Sequence, residues 1–108
     1  TYADINLTAG TTYYYRIRAT NAGGFSAYTT EANATTTAAI PTVPTDLTAT
    51  TASSALINLS WTDASTNEEG FQIERSLTTG SGFVLINTTA ANSTTFADAN
   101  LTAATTYY

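Results

Sequence analysis

The two ends of this chain carry the same phrase. Residues 1–14 read TYADINLTAGTTYY and residues 95–108 read TFADANLTAATTYY, an offset of 94 residues from Thr1 to Thr95, with eleven of the fourteen positions identical. The three differences are Tyr2/Phe96, Ile5/Ala99 and Gly10/Ala104. Repetition at a fixed period dictates architecture more strongly than any local propensity, because each period must be one structural unit. A 108-residue chain with this period is slightly more than one turn of a tandem array, cut out of phase with its domains.

The unit itself reads as all-β. Apolar residues alternate with polar ones, and turn residues interrupt the runs at short intervals, which is the pattern of a sandwich or barrel. In LINLSW (56–61), Ile57, Leu59 and Trp61 share one face, while Asn58 and Ser60 take the other. In GFQIERS (70–76), Phe71 and Ile73 point inward, with Gln72 and Glu74 outward. In YYYRIRA (13–19), Tyr13, Tyr15, Ile17 and Ala19 share one face, and Tyr14, Arg16 and Arg18 the other. Phe96 and Leu101 complete the expected interior. The prolines of AIPTVPT (39–45) cannot sit in a central strand and mark a junction between repeats.

Composition removes several functions. Eight acids against three arginines give a net charge of −5, which disfavours nucleic acid and anionic membrane surfaces. No apolar run approaches the ~20 residues of a membrane helix, so no membrane insertion is expected in this segment. Without His or Cys, the usual nucleophile–base pairs and soft-metal sites cannot be built. Asp63, Glu68 and Glu69 share one loop, but their spacing matches no calcium motif and reads as a solvated loop. Catalytic, cofactor-binding and metal-binding residues are therefore all expected to be none. Charged residues are only 10% of the chain and threonine covers much of the surface, a composition that points to an extracellular or cell-surface setting.

With the period rejoined, the residues resemble a fibronectin type III repeat. The proline-rich entry, LTAT, INLSW with Trp61, NEEGFQIERS and the phrase from Leu7 to Asn21 follow in that family's order. NEEGFQIERS is similar to versions in bacterial secreted and surface proteins. Ala9 departs from the family, where proline is common, and an Arg-Gly-Asp tripeptide is absent. The resemblance implies an immunoglobulin-like β-sandwich of two antiparallel sheets. It implies that Tyr13, and Tyr107 in the second copy, are tyrosine-corner residues whose hydroxyls meet backbone a few residues upstream. It also implies that residues 1–40 are the C-terminal part, strands E–G, of one repeat. Residues 41–108 are then strands A–E and the start of F of the next.

Neither part encloses a whole core on that reading, so exposed apolar side chains and open sheet edges are expected. Three routes complete them: a longer covalent array, strand complementation by a neighbour, or closure within one chain. Partners are therefore neighbouring copies or repeats, end to end, with glycans or other surface proteins as further candidates. Six Asn-x-Ser/Thr sequons start at Asn6, Asn33, Asn58, Asn87, Asn92 and Asn100, candidate glycosylation positions or a product of Thr-rich composition. Phe25 and Tyr28, in NAGGFSAY, are candidate loop contacts. Glu74 is expected to pair with Arg16 or Arg18 across strands C and F, Arg75 to snorkel, and Asp4 and Asp98 to make turn contacts. The function expected is a structural repeat of a surface filament or stalk. The alternatives are a carbohydrate- or protein-binding adhesion module, or a passive spacer in a secreted enzyme.

Overall fold

The computed structural model describes every residue of the chain, Thr1–Tyr108. Nine β-strands form and no helix does. The chain divides into two compact units, Thr1–Ile40 and Pro41–Tyr108.

The first unit is built on a long hairpin. β1 (Thr12–Tyr15) pairs antiparallel with β4 (Ala32–Thr35), and β2 (Thr20–Asn21) pairs with β3 (Gly24–Phe25). Between these ladders the arms stay joined by single bonds: Thr29 N donates to Ile17 O and Ser26 N to Ala19 O. The alternating run 13–19 is thus broken at Arg16 rather than forming one continuous strand. At the tip, Asn21 Oδ1 accepts from Gly23 N at 2.8 Å and Gly24 takes a φ of 124°, a conformation open to glycine alone.

The second unit contains two sheets. β5 (Thr45–Ser53), β6 (Leu56–Thr62) and β9 (Thr95–Ala99) form one in the order β5-β6-β9, and β7 (Gln72–Arg75) pairs with β8 (Val84–Thr88) in the other. All pairings are antiparallel. Asp46 sits in the left-handed region at φ 55°, where the β5–β6 register shifts between Thr45 and Thr48.

The two buried apolar side chains both lie in the second unit. Trp61 and Ile73 are buried, at 8% and 9% exposure, and their sequence neighbours Ser60, Thr62, Gln72 and Glu74 are exposed. Ile57, Leu59, Phe71, Phe96 and Leu101 are half-buried, as is Tyr13 in the first unit. Trp61 is better covered than a divided interior implies, because Phe71 packs against it from β7's side with ring centroids 5.4 Å apart. Tyr15 and Ile17, assigned to the interior by the same parity, are exposed at 37% and 72%. Their unit holds only the two ladders of the hairpin, so no second sheet within it packs on that face. No side chain in either unit is fully buried.

Candidate functional site

The repeated phrase folds the same way twice. Thr8 N donates to the Tyr13 hydroxyl at 3.0 Å, and Thr102 N donates to the Tyr107 hydroxyl at 3.0 Å. Thr11 Oγ1 donates to Ala9 O, and Thr105 Oγ1 to Ala103 O. Asn6 and Asn100 take φ values of 61° and 60°, and Gly10 and Ala104 take 62° and 53°. The local bonds of the corner are thus reproduced 94 residues apart, including a left-handed turn that one copy builds with glycine and the other with alanine. The bond from Thr102 draws the Tyr107 hydroxyl below the ordinary tyrosine range.

Beyond this corner the equivalent acids part company. Asp98 accepts from Arg75 Nη1 with both carboxylate oxygens, at 2.9 and 3.0 Å, tying β9 to β7. The Arg75 guanidinium also lies 5.1 Å from the Tyr107 ring centre. Arg75 therefore does not snorkel, and Asp98 makes an ion pair between sheets rather than a turn contact. Asp4, in a unit with no such arginine, accepts instead from the Tyr15 hydroxyl at 3.0 Å. Partial desolvation first, then that bond to a carboxylate, pushes the Tyr15 hydroxyl above its usual range.

The site with most unfinished structure is the free edge of β7. Its last residue leads into Ser76, whose N and O exchange bonds with Tyr108 O and N at 2.8 and 2.9 Å. Antiparallel pairing has therefore begun on that edge at one residue pair. Ser76 was not anticipated from sequence. It is buried, and its hydroxyl donates to Thr78 O and accepts from Thr78 N at 2.9 Å, closing the turn at 78–81. Along the same side of β7 runs an apolar groove of about 220 Å³, lined chiefly by Pro44, Leu47, Leu59, Trp61, Phe71 and Ile73. The Trp61 indole N–H is buried there without a partner, an unmet donor that costs on the order of 1–3 kcal/mol.

The outward face of the first unit's hairpin carries a stack of cations and rings. Arg16 lies 4.1 Å over the Tyr28 ring, and Arg18 lies 3.8 Å over Phe25 and 4.8 Å from Tyr28. Phe25 and Tyr28 are thus held by arginines, at roughly 0.5–1 kcal/mol per exposed pair. Glu74, the partner expected for these arginines, belongs to the other unit.

The acid loop is occupied by its own bonding. Asp63 Oδ1 accepts from Ser65 N at 3.0 Å, and Glu68 Oε1 accepts from Asn92 N at 3.1 Å. Bonds from its own N–H and that of Asn92 hold the Glu68 carboxyl below the usual range. Each of the six sequon asparagines is exposed.

Two antiparallel sheets with a β6 tryptophan and a duplicated tyrosine corner define an immunoglobulin-like β-sandwich of the fibronectin type III kind. Among solved structures the chain is similar to the FN1–FN3 domains of chicken CNTN1, with a TM-score of 0.59 at 23% identity. That match covers 98% of this chain and 38% of the other, so the chain spans under half the length of the structure it resembles. No protein-family model matches the sequence, and no curated protein does.

Proposed function

We propose that this chain is a structural repeat of an extracellular or cell-surface stalk or filament assembled from fibronectin type III-like modules in tandem. The observation that carries the reading is the corner built twice, 94 residues apart. On this reading Thr1–Ile40 is the end of one module and Pro41–Tyr108 the beginning of the next. The prolines at 41 and 44 stiffen the connection, and the modules add length. The work is mechanical, and no reaction is assigned to it.

The test is to extend the chain. Continuing the sequence past Tyr108 with a copy of residues 15–40 supplies one whole period. That chain unfolds in one sharper transition at higher temperature than the 108-residue chain, with Trp61 emission shifted to the blue. Adding two, three and four further periods makes the radius of gyration from X-ray scattering rise in proportion to their number. A period that gains no stability, or a radius that stays flat, defeats the proposal. Tight glycan or protein binding by a single completed period would favour the adhesion module instead.

A further inference from the structure

Every asparagine that this chain holds in the left-handed region also begins an Asn-x-Thr sequon. Asn6, Asn92 and Asn100 take φ values of 61°, 59° and 60°, and Thr8, Thr94 and Thr102 follow them two residues on. A left-handed turn asks for glycine or asparagine at one position. It asks for nothing two residues later. The chain supplies glycine for the same conformation at Gly10, Gly80 and Gly82. Thr8 and Thr94 are held through their backbones alone. Thr8 N donates to the Tyr13 hydroxyl, Thr8 O accepts from Thr36 Oγ1, and Thr94 O accepts from Trp61 N. The turns therefore explain the asparagines and leave the threonine hydroxyls without a duty in the fold.

The other three sequons lie in ladders. Asn58 sits in β6, the middle strand of its sheet, opposite Thr50 on one side and Ala97 on the other. Asn33 pairs with Tyr14, and Asn87 with Ile73. The Asn87 side chain is engaged as well, its Oδ1 accepting from Thr88 N at 2.9 Å. Exposure does not sort the six, since all are exposed. Backbone pairing does, because Asn6, Asn92 and Asn100 belong to no strand. Asn6 stays exposed although the returning arm of its hairpin bonds to Thr8 and Gly10 nearby. Its counterpart Asn100 therefore stays open when a following arm completes the same corner.

We propose that Asn6, Asn92 and Asn100 are the N-glycan acceptor sites of the folded chain, and that Asn33, Asn58 and Asn87 are not. The proposal rests on the extracellular setting of the reading above and adds a modification to it. The donor is a lipid-linked oligosaccharyl diphosphate. The side-chain amide nitrogen bonds to the anomeric carbon of the sugar, and the bond from that carbon to the diphosphate oxygen breaks. The diphosphate leaves with the electron pair, and one amide proton passes to the transferase. That enzyme must draw the acceptor segment off the protein surface into its own site. At an exposed turn this disturbs little, whereas in a ladder the strand must first open. A sugar at these turns is bulky and solvated and buries no apolar surface of the protein. Because Asn6 and Asn100 are one position of the repeat, the sugar recurs every 94 residues along an array.

The test presents the folded 108-residue chain to a purified oligosaccharyltransferase with a lipid-linked oligosaccharide, beside short peptides covering each sequon. Enzymatic release of the sugar in heavy-oxygen water marks each formerly occupied asparagine as a labelled aspartate, which peptide mapping locates. In the folded chain Asn6, Asn92 and Asn100 should accept sugar at rates close to those of their peptides. Asn33, Asn58 and Asn87 should fall roughly tenfold or more below theirs, because their ladders must open first. Thr8→Ala and Thr94→Ala should each erase one site and leave the other two occupied, as a requirement for the hydroxyl itself predicts. The proposal is overturned if the turn peptides are not acceptors, or if the folded chain takes no sugar where they do. It is also overturned if the ladder sites keep pace with the turn sites, or if protein from its own source has the unmodified mass. None of these results touches the stalk reading, which stands or falls on whether the extended chains lengthen in proportion to their periods.

Discussion

Asp4 and Asp98 are one residue of the repeat in two environments, and that difference is a measurable experiment. Asp98 has a side chain 12% exposed and takes two contacts from one nitrogen of Arg75, which is 33% exposed. Exposed ion pairs contribute about 0.2–1 kcal/mol, whereas removing one partner of a buried pair costs about 3–5 kcal/mol. This pair lies between the limits. Arg75→Ala leaves a nearly buried carboxylate without its counter-charge and should cost about 2–3 kcal/mol. Asp98→Ala leaves an arginine that can still reach water and stack on Tyr107, and should cost about 2 kcal/mol. The double variant should cost less than the sum of the two, with a coupling of about 1–2 kcal/mol. Urea unfolding followed by Trp61 emission reads this directly, since the chain has one tryptophan and it lies in the Pro41–Tyr108 unit. Asp4→Ala removes only an exposed acceptor of the Tyr15 hydroxyl and should show no coupling to Arg75→Ala. A coupling near zero for Asp98, or one as large for Asp4, would refute the claim that the inter-sheet ion pair holds β9 to β7.

Three further outcomes follow from the geometry. Ala104 occupies the left-handed turn that its counterpart Gly10 occupies, so Ala104→Gly should stabilise the Pro41–Tyr108 unit by about 0.5–1 kcal/mol, read from the same urea midpoint. A Cβ at Gly70 would collide with the Thr89 carbonyl, so Gly70→Ala should cost about 2 kcal/mol or more and speed amide exchange along β7 and β8. The backbone N–H groups of Glu68 and Asn92 hold the Glu68 carboxyl below the ordinary glutamate range. Its contribution is therefore full above that range and is lost as the pH falls through the folded value, so Glu68→Gln should flatten the acid limb of a thermal-shift profile.

Much of the fold was legible in the sequence because its cause is local. Side chains alternate across a strand for steric reasons, so parity alone placed Trp61, Ile73, Ile57 and Leu59 inward and Gln72 and Glu74 outward. The tyrosine corner was legible only through the family resemblance of the phrase from Leu7 to Asn21; its bond closes locally, between residues five positions apart. Strand ends were less legible. The run through Arg16 breaks because the two hairpin arms meet there through a threonine side chain, Thr29 Oγ1 accepting from Ile17 N, and not through a regular ladder.

The sequence by itself determined the period and the all-β alternation. Both follow from spacing along the chain, and a strand repeats every two residues whatever lies beside it. Only the tertiary structure decided that Arg75 reaches Asp98, that Arg16 and Arg18 lie on Tyr28 and Phe25, and that Ser76 closes one turn while its backbone starts a new pairing. Those contacts join residues far apart along the chain, 23 positions for Arg75 and Asp98 and 32 (from 76 to 108) for Ser76 and Tyr108. Their existence depends on how loops bring strands together, a quantity that no window of sequence contains.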